Sequence, residues 1–182
     1  MIFAHRLNTI QHVYENYYKN TSSAFEIDIQ MTKDLKLVVY HDDVSSKSYS
    51  ELSHIIPFVP LFEDFLKYIP ENMTINVEIK KYKNSIVALE YILSITEKYK
   101  HTYIFSSFDK DVYNDLISLN KDAWHLVKKN DKYSQDTPYI CIHKDLIPYI
   151  IPDKHKCICV YGFKKDEIDS QLSFITDWIV DF

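Results

Sequence analysis

Residues 74–80 read Thr-Ile-Asn-Val-Glu-Ile-Lys, and residues 24–30 read Ala-Phe-Glu-Ile-Asp-Ile-Gln. Both alternate with a period of two, the signature of a β-strand with two different faces. In the first, Ile75, Val77 and Ile79 share a face and Asn76, Glu78 and Lys80 share the other; in the second, Phe25, Ile27 and Ile29 oppose Glu26, Asp28 and Gln30. Taken alone, such a strand is more often half-exposed, with its carboxylates in water. Order and clustering along the chain point the other way.

Outward from these two runs, strand-like and helix-like periodicities take turns. Strands are expected at Ile2–His5, Leu37–His41, Thr102–Phe105, Trp124–Val127, Tyr139–His143, Cys157–Tyr161 and Trp178–Phe182. Helices are expected at Thr9–Tyr18, with Asn8 as N-cap, and at Phe62–Tyr68, Ile86–Lys98, Val112–Leu119 and Glu167–Phe174. About eight strands with interleaved helices suggest an α/β chain folded as a (β/α)8 TIM barrel. Such barrels usually need roughly 200 residues or more, so at 182 residues this one is trimmed and occupies the chain as one domain, 1–182. One connection is awkward. Only residues 31–36 separate the second strand from Leu37, whereas a parallel crossover takes about a dozen residues or more. It is either a helix-free crossover or an irregular strand pair.

Composition narrows the function. Lys and Arg number 21 against 26 Asp and Glu, a net charge of −5, which lacks the basic stripe of a nucleic-acid binder. A single glycine, Gly162, leaves no room for a P-loop, a dinucleotide fingerprint or a G-x-S-x-G elbow. Cys141, Cys157 and Cys159 have no zinc-ligand spacing and read as reduced core thiols. No apolar run is long enough for a transmembrane helix and the N-terminus lacks a signal peptide's apolar core, so the cytosol is the default compartment.

In a barrel, reactive groups come from the C-terminal ends of the strands. Here four early strands end in His5-Arg6, Glu26 and Asp28, His41-Asp42, and Glu78 and Lys80. Converging Glu26, Asp28 and Glu78 would suit one divalent ion with a taste for oxygen: Mg²⁺ or Ca²⁺, with Mn²⁺ also admissible. His5 and His41 would flank it as acid and base. Arg6 and Lys80 would offer positive charge to a phosphoryl oxygen.

Ordered along the chain are Ala4-His-Arg-Leu-Asn-Thr9, Glu26-Ile-Asp28, Thr32-Lys-Asp-Leu35, Val38-Val-Tyr-His-Asp42, Pro60-Leu-Phe-Glu-Asp-Phe-Leu66, Glu78-Ile-Lys80, Ser106-Ser-Phe108 and Thr176-Asp-Trp-Ile-Val-Asp181. This series resembles the glycerophosphodiester phosphodiesterases, a family of phospholipase-C-like barrels, in a compact form. The resemblance is strong to Phe108 and thinner beyond. The glycines expected after His-Arg and in the Thr-Lys-Asp turn are Leu7 and Leu35. The loop before the first helix is nearly deleted, and the short segment 43–60 leaves the capping insertion missing or reduced.

The resemblance implies a metal-dependent phosphodiesterase that cleaves a small glycerophosphodiester to glycerol phosphate and an alcohol. Glu26, Asp28 and Glu78 would hold the metal, His5 and His41 would be the catalytic acid/base pair, and Arg6 and Lys80 would bind phosphate. A related enzyme acting on another phospholipid-like diester and a catalytically silent phosphate-binding module are the alternative readings. The oligomeric state is left open.

Overall fold

The computed structural model describes residues 1–19, 24–80, 85–132, 137–168 and 172–181. Its strands are β1 (Ile2–Ala4), β2 (Ala24–Met31), β3 (Leu37–Val39), β4 (Thr74–Ile79), β5 (Thr102–Ser107), β6 (Ala123–Val127), β7 (Tyr139–His143), β8 (Cys157–Lys164) and β9 (Asp177–Asp181). Its α-helices are α1 (Ile10–Tyr18), α2 (Tyr49–Ile55), α3 (Phe62–Lys67), α4 (Ser85–Thr96) and α5 (Lys110–Ser118).

Eight strands run parallel in the order β1-β9-β8-β7-β6-β5-β4-β2. A β1–β2 pairing, Ala4 opposite Phe25, closes the ring. The chain is therefore a (β/α)8 TIM barrel. It is trimmed in its second half: β7 and β8 are joined by short 3₁₀ turns, Lys144–Tyr149 and Pro152–Lys154, in place of an α-helix. Among the described residues, no helix is long and apolar enough to cross a membrane.

The awkward connection is resolved by β3, which pairs antiparallel with β2 (Ile29 opposite Val39, Met31 opposite Leu37). It is a hairpin arm on the barrel and not a stave of it, so no crossover is required. Its turn keeps the left-handed conformation that a glycine would favour, but with Leu35 in it (φ +61°).

Alternation within the strands now has a meaning. Phe25, Ile27, Ile29, Ile75, Val77 and Ile79 face outward into a shell with Leu89 and Ile92 of α4 and Val112 and Leu116 of α5. Phe3, Ala24, Trp124, Leu126, Cys141, Cys159 and Ile179 face inward and fill the barrel. The ring of Phe3 meets the edge of Trp124 at 5.5 Å. Next to this apolar layer, on the same inward face, stand Glu26, Asp28 and Glu78 with the buried Asn76 and Ser106, whose hydroxyl donates to Asn76 Oδ1 at 3.1 Å. All three cysteines are free thiols, with Cys141 and Cys159 fully buried.

Two local expectations are corrected. The cap of α1 is Thr9, whose hydroxyl accepts the His12 N–H at 3.1 Å, and not Asn8. Asn8 is occupied elsewhere, as described below. The helix expected over Glu167–Phe174 is reduced to one 3₁₀ turn, Lys165–Glu167, and residues 169–171 of it lie outside the described residues. There the Glu167 carboxylate turns back to accept the Lys164 N–H at 2.9 Å, while Ile168, Leu172 and Phe174 pack onto the shell around Trp178.

Gly162 is needed where it stands. It sits at the bulge where the β8–β9 register slips between Tyr161 and Phe163, at φ +89°, and a Cβ there would lie 2.9 Å from His143 Nε2. Gly162→Ala is expected to cost ~1–2 kcal/mol from the backbone alone, lowering the thermal midpoint by ~2–8 °C. Leu35→Gly should act in the opposite direction, because Leu35 is exposed and loses no packing. Thermal unfolding of both variants checks the pair; equal midpoints for wild type and Gly162→Ala would refute the reading of the bulge.

Candidate active site

The mouth is built from the ends of adjacent strands. In the β2–β4 register Asp28 stands opposite Glu78, and Glu26 lies two residues before Asp28 on the same face. Oxygen atoms of Glu26, Asp28 and Glu78 come within 4.8 Å of one another. Glu26 and Asp28 are 2% and 1% exposed, so the solvated-face reading of this strand fails. Lys80 reaches back into the cluster, its Nζ 2.6 Å from Asp28 Oδ1 and paired with Glu78 Oε1.

Burial, reinforced by the Asp28 and Glu78 charges, holds the Glu26 carboxyl well above the usual carboxylate range. Burial and Asp28 raise Glu78 as well, with Lys80 pulling the other way. For Lys80, burial alone would lower the pKa, but Glu78 and Asp28 outweigh it and the ammonium is held above its ordinary value.

His5 and Arg6 follow β1. Arg6 is left-handed (φ +54°), a strained setting for a side chain larger than glycine. That turn aims the Arg6 N–H at Glu26 Oε2 (2.8 Å) and the Leu7 N–H at the Glu26 carbonyl (2.9 Å). His5 Nδ1 donates to Asp181 Oδ1 at 2.7 Å, because a carboxylate only accepts. Its Nε2 is thus free to accept a proton, 3.9 Å from Glu26 Oε2. Burial, opposed by the Asp181 hydrogen bond, lowers the His5 pKa and favours the neutral ring.

His41 is held in the same tautomer by the same kind of partner. Its Nδ1 donates to Asp42 Oδ1 at 2.7 Å, and its Nε2 accepts from Arg6 Nη2 at 2.7 Å. All seven residues expected at the site, His5, Arg6, Glu26, Asp28, His41, Glu78 and Lys80, therefore meet at one end of the barrel.

Several supporting residues escaped the sequence reading. Asn8 grips Asp28 from both sides: its amide donates to Asp28 Oδ2 and its carbonyl accepts the Asp28 N–H, each at 2.9 Å. Buried Gln30 carries the His41 loop, donating to the Tyr40 and Asp42 carbonyls (2.8 and 2.6 Å) and accepting the Val44 N–H (3.1 Å). The period-two pattern did place Gln30 on the face of Glu26 and Asp28, and that was the available signal. Nothing in sequence spacing pairs Asp181 with His5, 176 residues away.

The donor set fits a divalent cation. If all three carboxylates ionise, Lys80 leaves two charges uncompensated, and buried Glu26 Oε1 has no hydrogen-bond partner. A hard oxygen-seeking ion answers both needs.

The barrel mouth thus gathers three carboxylates, two carboxylate-backed histidines, an arginine and a lysine, groups of the kinds that acid/base and electrostatic catalysis employ. A model of the glycerophosphoryl diester phosphodiesterase family matches residues 5–48. Among solved structures, a glycerophosphodiester phosphodiesterase from Parabacteroides distasonis superimposes with a TM-score of 0.78 at 20% identity, covering 99% of this chain and 91% of that one. One from Thermotoga maritima gives 0.76 at 20% identity, covering 99% and 93%. An Oleispira antarctica phosphodiesterase in complex with the product sn-glycerol-3-phosphate gives 0.77 at 15% identity, covering 100% and 92%. Among curated proteins, none matches the sequence significantly. The chain thus resembles this family in sequence where its motifs are densest, and in fold along its whole length.

The raised carboxyls set the sign of a pH effect. Between the ordinary carboxylate range and the raised values, the folded protein binds protons that the unfolded chain has released. Metal-free stability should therefore increase as the pH falls from 7 toward 5. Glu26→Gln should flatten that slope and raise the metal-free midpoint at pH 7. It should also weaken Mg²⁺ or Ca²⁺ by at least the ~10–100-fold that loss of a mere supporting partner costs. Calorimetric titration reads the affinity, and equal affinity in wild type and variant would remove Glu26 from the ligand set.

Proposed function

We propose that the protein is a metal-dependent phosphodiesterase that hydrolyses a small glycerophosphodiester-type substrate to glycerol phosphate and an alcohol, the 182 residues acting as one catalytic unit. The observation that carries this is the joint placement of His5 and His41 around the carboxylate cluster. A silent phosphate-binding module has no use for two histidines each backed by a carboxylate through Nδ1, Asp181 for His5 and Asp42 for His41. The family match over residues 5–48 and the product named with the Oleispira antarctica structure support glycerol phosphate as the product class.

Glu26, Asp28 and Glu78 would hold one divalent ion. Bound there, such an ion would supply Lewis acidity and lower the pKa of a hydroxyl brought beside it. This chain's own residues do the rest. One histidine takes the hydroxyl proton through Nε2 while its Nδ1–H stays on its carboxylate, Asp181 for His5 or Asp42 for His41. The hydroxyl oxygen closes on phosphorus and the bond to the leaving alcohol breaks. The other histidine, entering the step protonated on both ring nitrogens, gives its Nε2 proton to the departing oxygen, and water then opens the cyclic phosphate by the reverse proton traffic. Arg6 and Lys80 compensate the negative charge that gathers on the phosphoryl oxygens. Asn8 and Gln30 keep Asp28 and the His41 loop in place.

His5→Ala and His41→Ala should each lower turnover of an alkyl diester by on the order of 10²–10⁴-fold, with metal affinity near wild type. An acidic phenol leaves without a proton. The histidine that protonates the leaving group should therefore matter much less for an aryl diester, and the one acting as base should show no such rescue. Chelation by EDTA should abolish turnover and Mg²⁺ restore it. Wild-type rates in both alanine variants on an alkyl diester would overturn the mechanism.

A further inference from the structure

The carboxylates occupy one arc of the mouth, on β2 and β4, and the arc across from them is formed by β6, β7 and β8. Trp124, Leu126, Cys141 and Cys159 fill the barrel there, and the period of two puts Lys128, His143 and Tyr161 next on the same face. His143 stands opposite Tyr161 in the β7–β8 register, and Phe108, just past β5, packs with this group. Tyr161 meets the Phe108 ring edge-on at 6.0 Å and the His143 ring edge-on at 5.3 Å. Its hydroxyl donates to the Val127 carbonyl at 2.9 Å, and burial raises its pKa, so it stays an uncharged phenol. His143 Nδ1 accepts the Asp145 N–H at 3.3 Å, and Gly162, lacking a Cβ, leaves room for the imidazole. The result is a fixed aromatic wall with one cation on it: Lys128 Nζ lies 5.4 Å from the centre of the Phe108 ring. The neighbouring Lys129 is paired with Asp145 at 2.5 Å. Asp131 shares the turn with Lys128, yet among the described residues no carboxylate forms an ion pair with Lys128.

We infer that this arc receives the leaving alcohol and that Lys128 is its specificity-determining residue, turning away alcohols that carry a positive charge. The inference rests on the phosphodiesterase reading and narrows the leaving group at that same site. In-line displacement sends the departing oxygen to the side of phosphorus away from the attacking hydroxyl. The attacking hydroxyl is activated at the carboxylate arc, so the group behind the leaving oxygen points across the mouth to the aromatic wall. Aromatic faces alone would suit a quaternary ammonium. Here the Lys128 ammonium already covers the Phe108 ring. A second cation would meet like charge, where an uncharged group of the same shape meets ring surface alone.

The test compares two leaving groups of one shape. Glycerol phosphate formation is followed from glycerophosphocholine and from its uncharged isostere, in which a tert-butyl group replaces the trimethylammonium. The two alcohols differ in intrinsic leaving ability, so the quantity read is the change in their kcat/KM ratio from one enzyme to the next. Lys128 is exposed, and methionine keeps the length of its stem, so Lys128→Met leaves the core intact. Relative to wild type, that variant should move the ratio toward the choline diester by about three- to tenfold, the order expected for like charges several ångströms apart near a protein surface. Lys128→Arg keeps the charge and should keep the wild-type ratio. Added salt should move the wild-type ratio in the same direction as Lys128→Met, and leave the ratio of that variant where it was. An unchanged ratio in Lys128→Met, or an equal shift in Lys128→Arg, would overturn the assignment and leave the phosphodiesterase reading standing. Glycerol phosphate from neither diester would overturn that reading and this one with it.

Discussion

Three carboxylates packed side by side within a barrel are the constraint around which the rest of this molecule is arranged. Glu26, Asp28 and Glu78 are buried, and lost hydration together with the neighbouring charges favours protonation of Glu26 and Glu78. The protein meets this with donors already in place: the Arg6 N–H on Glu26, the Asn8 amide N–H on Asp28, and the Lys80 ammonium between Asp28 and Glu78. Each donor comes from a strand end or the loop after it. Moving any of these strands by one residue would turn the partner out of the barrel.

The price of the arrangement is local strain at Arg6. Its left-handed backbone lets one short loop do two jobs, capping Glu26 through the main chain and reaching His41 through the side chain. The guanidinium thereby fixes the His41 tautomer from one side as Asp42 fixes it from the other. In a chain whose remaining basic residues are all lysines, arginine is retained where a planar, always-charged donor is required.

Trimming the barrel has consequences at the mouth as well as in the outer shell. Replacing the helix between β7 and β8 with 3₁₀ turns removes mass from the side of the barrel away from the carboxylates. Shortening the loop after β1 and the segment before Pro60 uncovers the flank beside Arg6 and His41. Between β3 and Pro60 the chain forms only the seven-residue α2, started by the Ser48–Glu51 capping box.

The sequence by itself determined the strand alternation, the barrel class and the seven residues that gather at the mouth, His5, Arg6, Glu26, Asp28, His41, Glu78 and Lys80. These follow from periodicity and from motifs only a few residues long, such as Glu26-Ile-Asp28 and Glu78-Ile-Lys80, whose partners lie on one strand face by geometry alone. Asn8 and Thr9 show where local reading stops. Both are good N-caps, and only Asp28, twenty residues on, decides that Asn8 is taken and Thr9 caps. The antiparallel β3, the use of Gln30 as the strut of the His41 loop and the pairing of His5 with Asp181 were decided by tertiary structure. Each depends on the ring closing between β1, β2 and β9, and ring closure sets distances that no local propensity encodes.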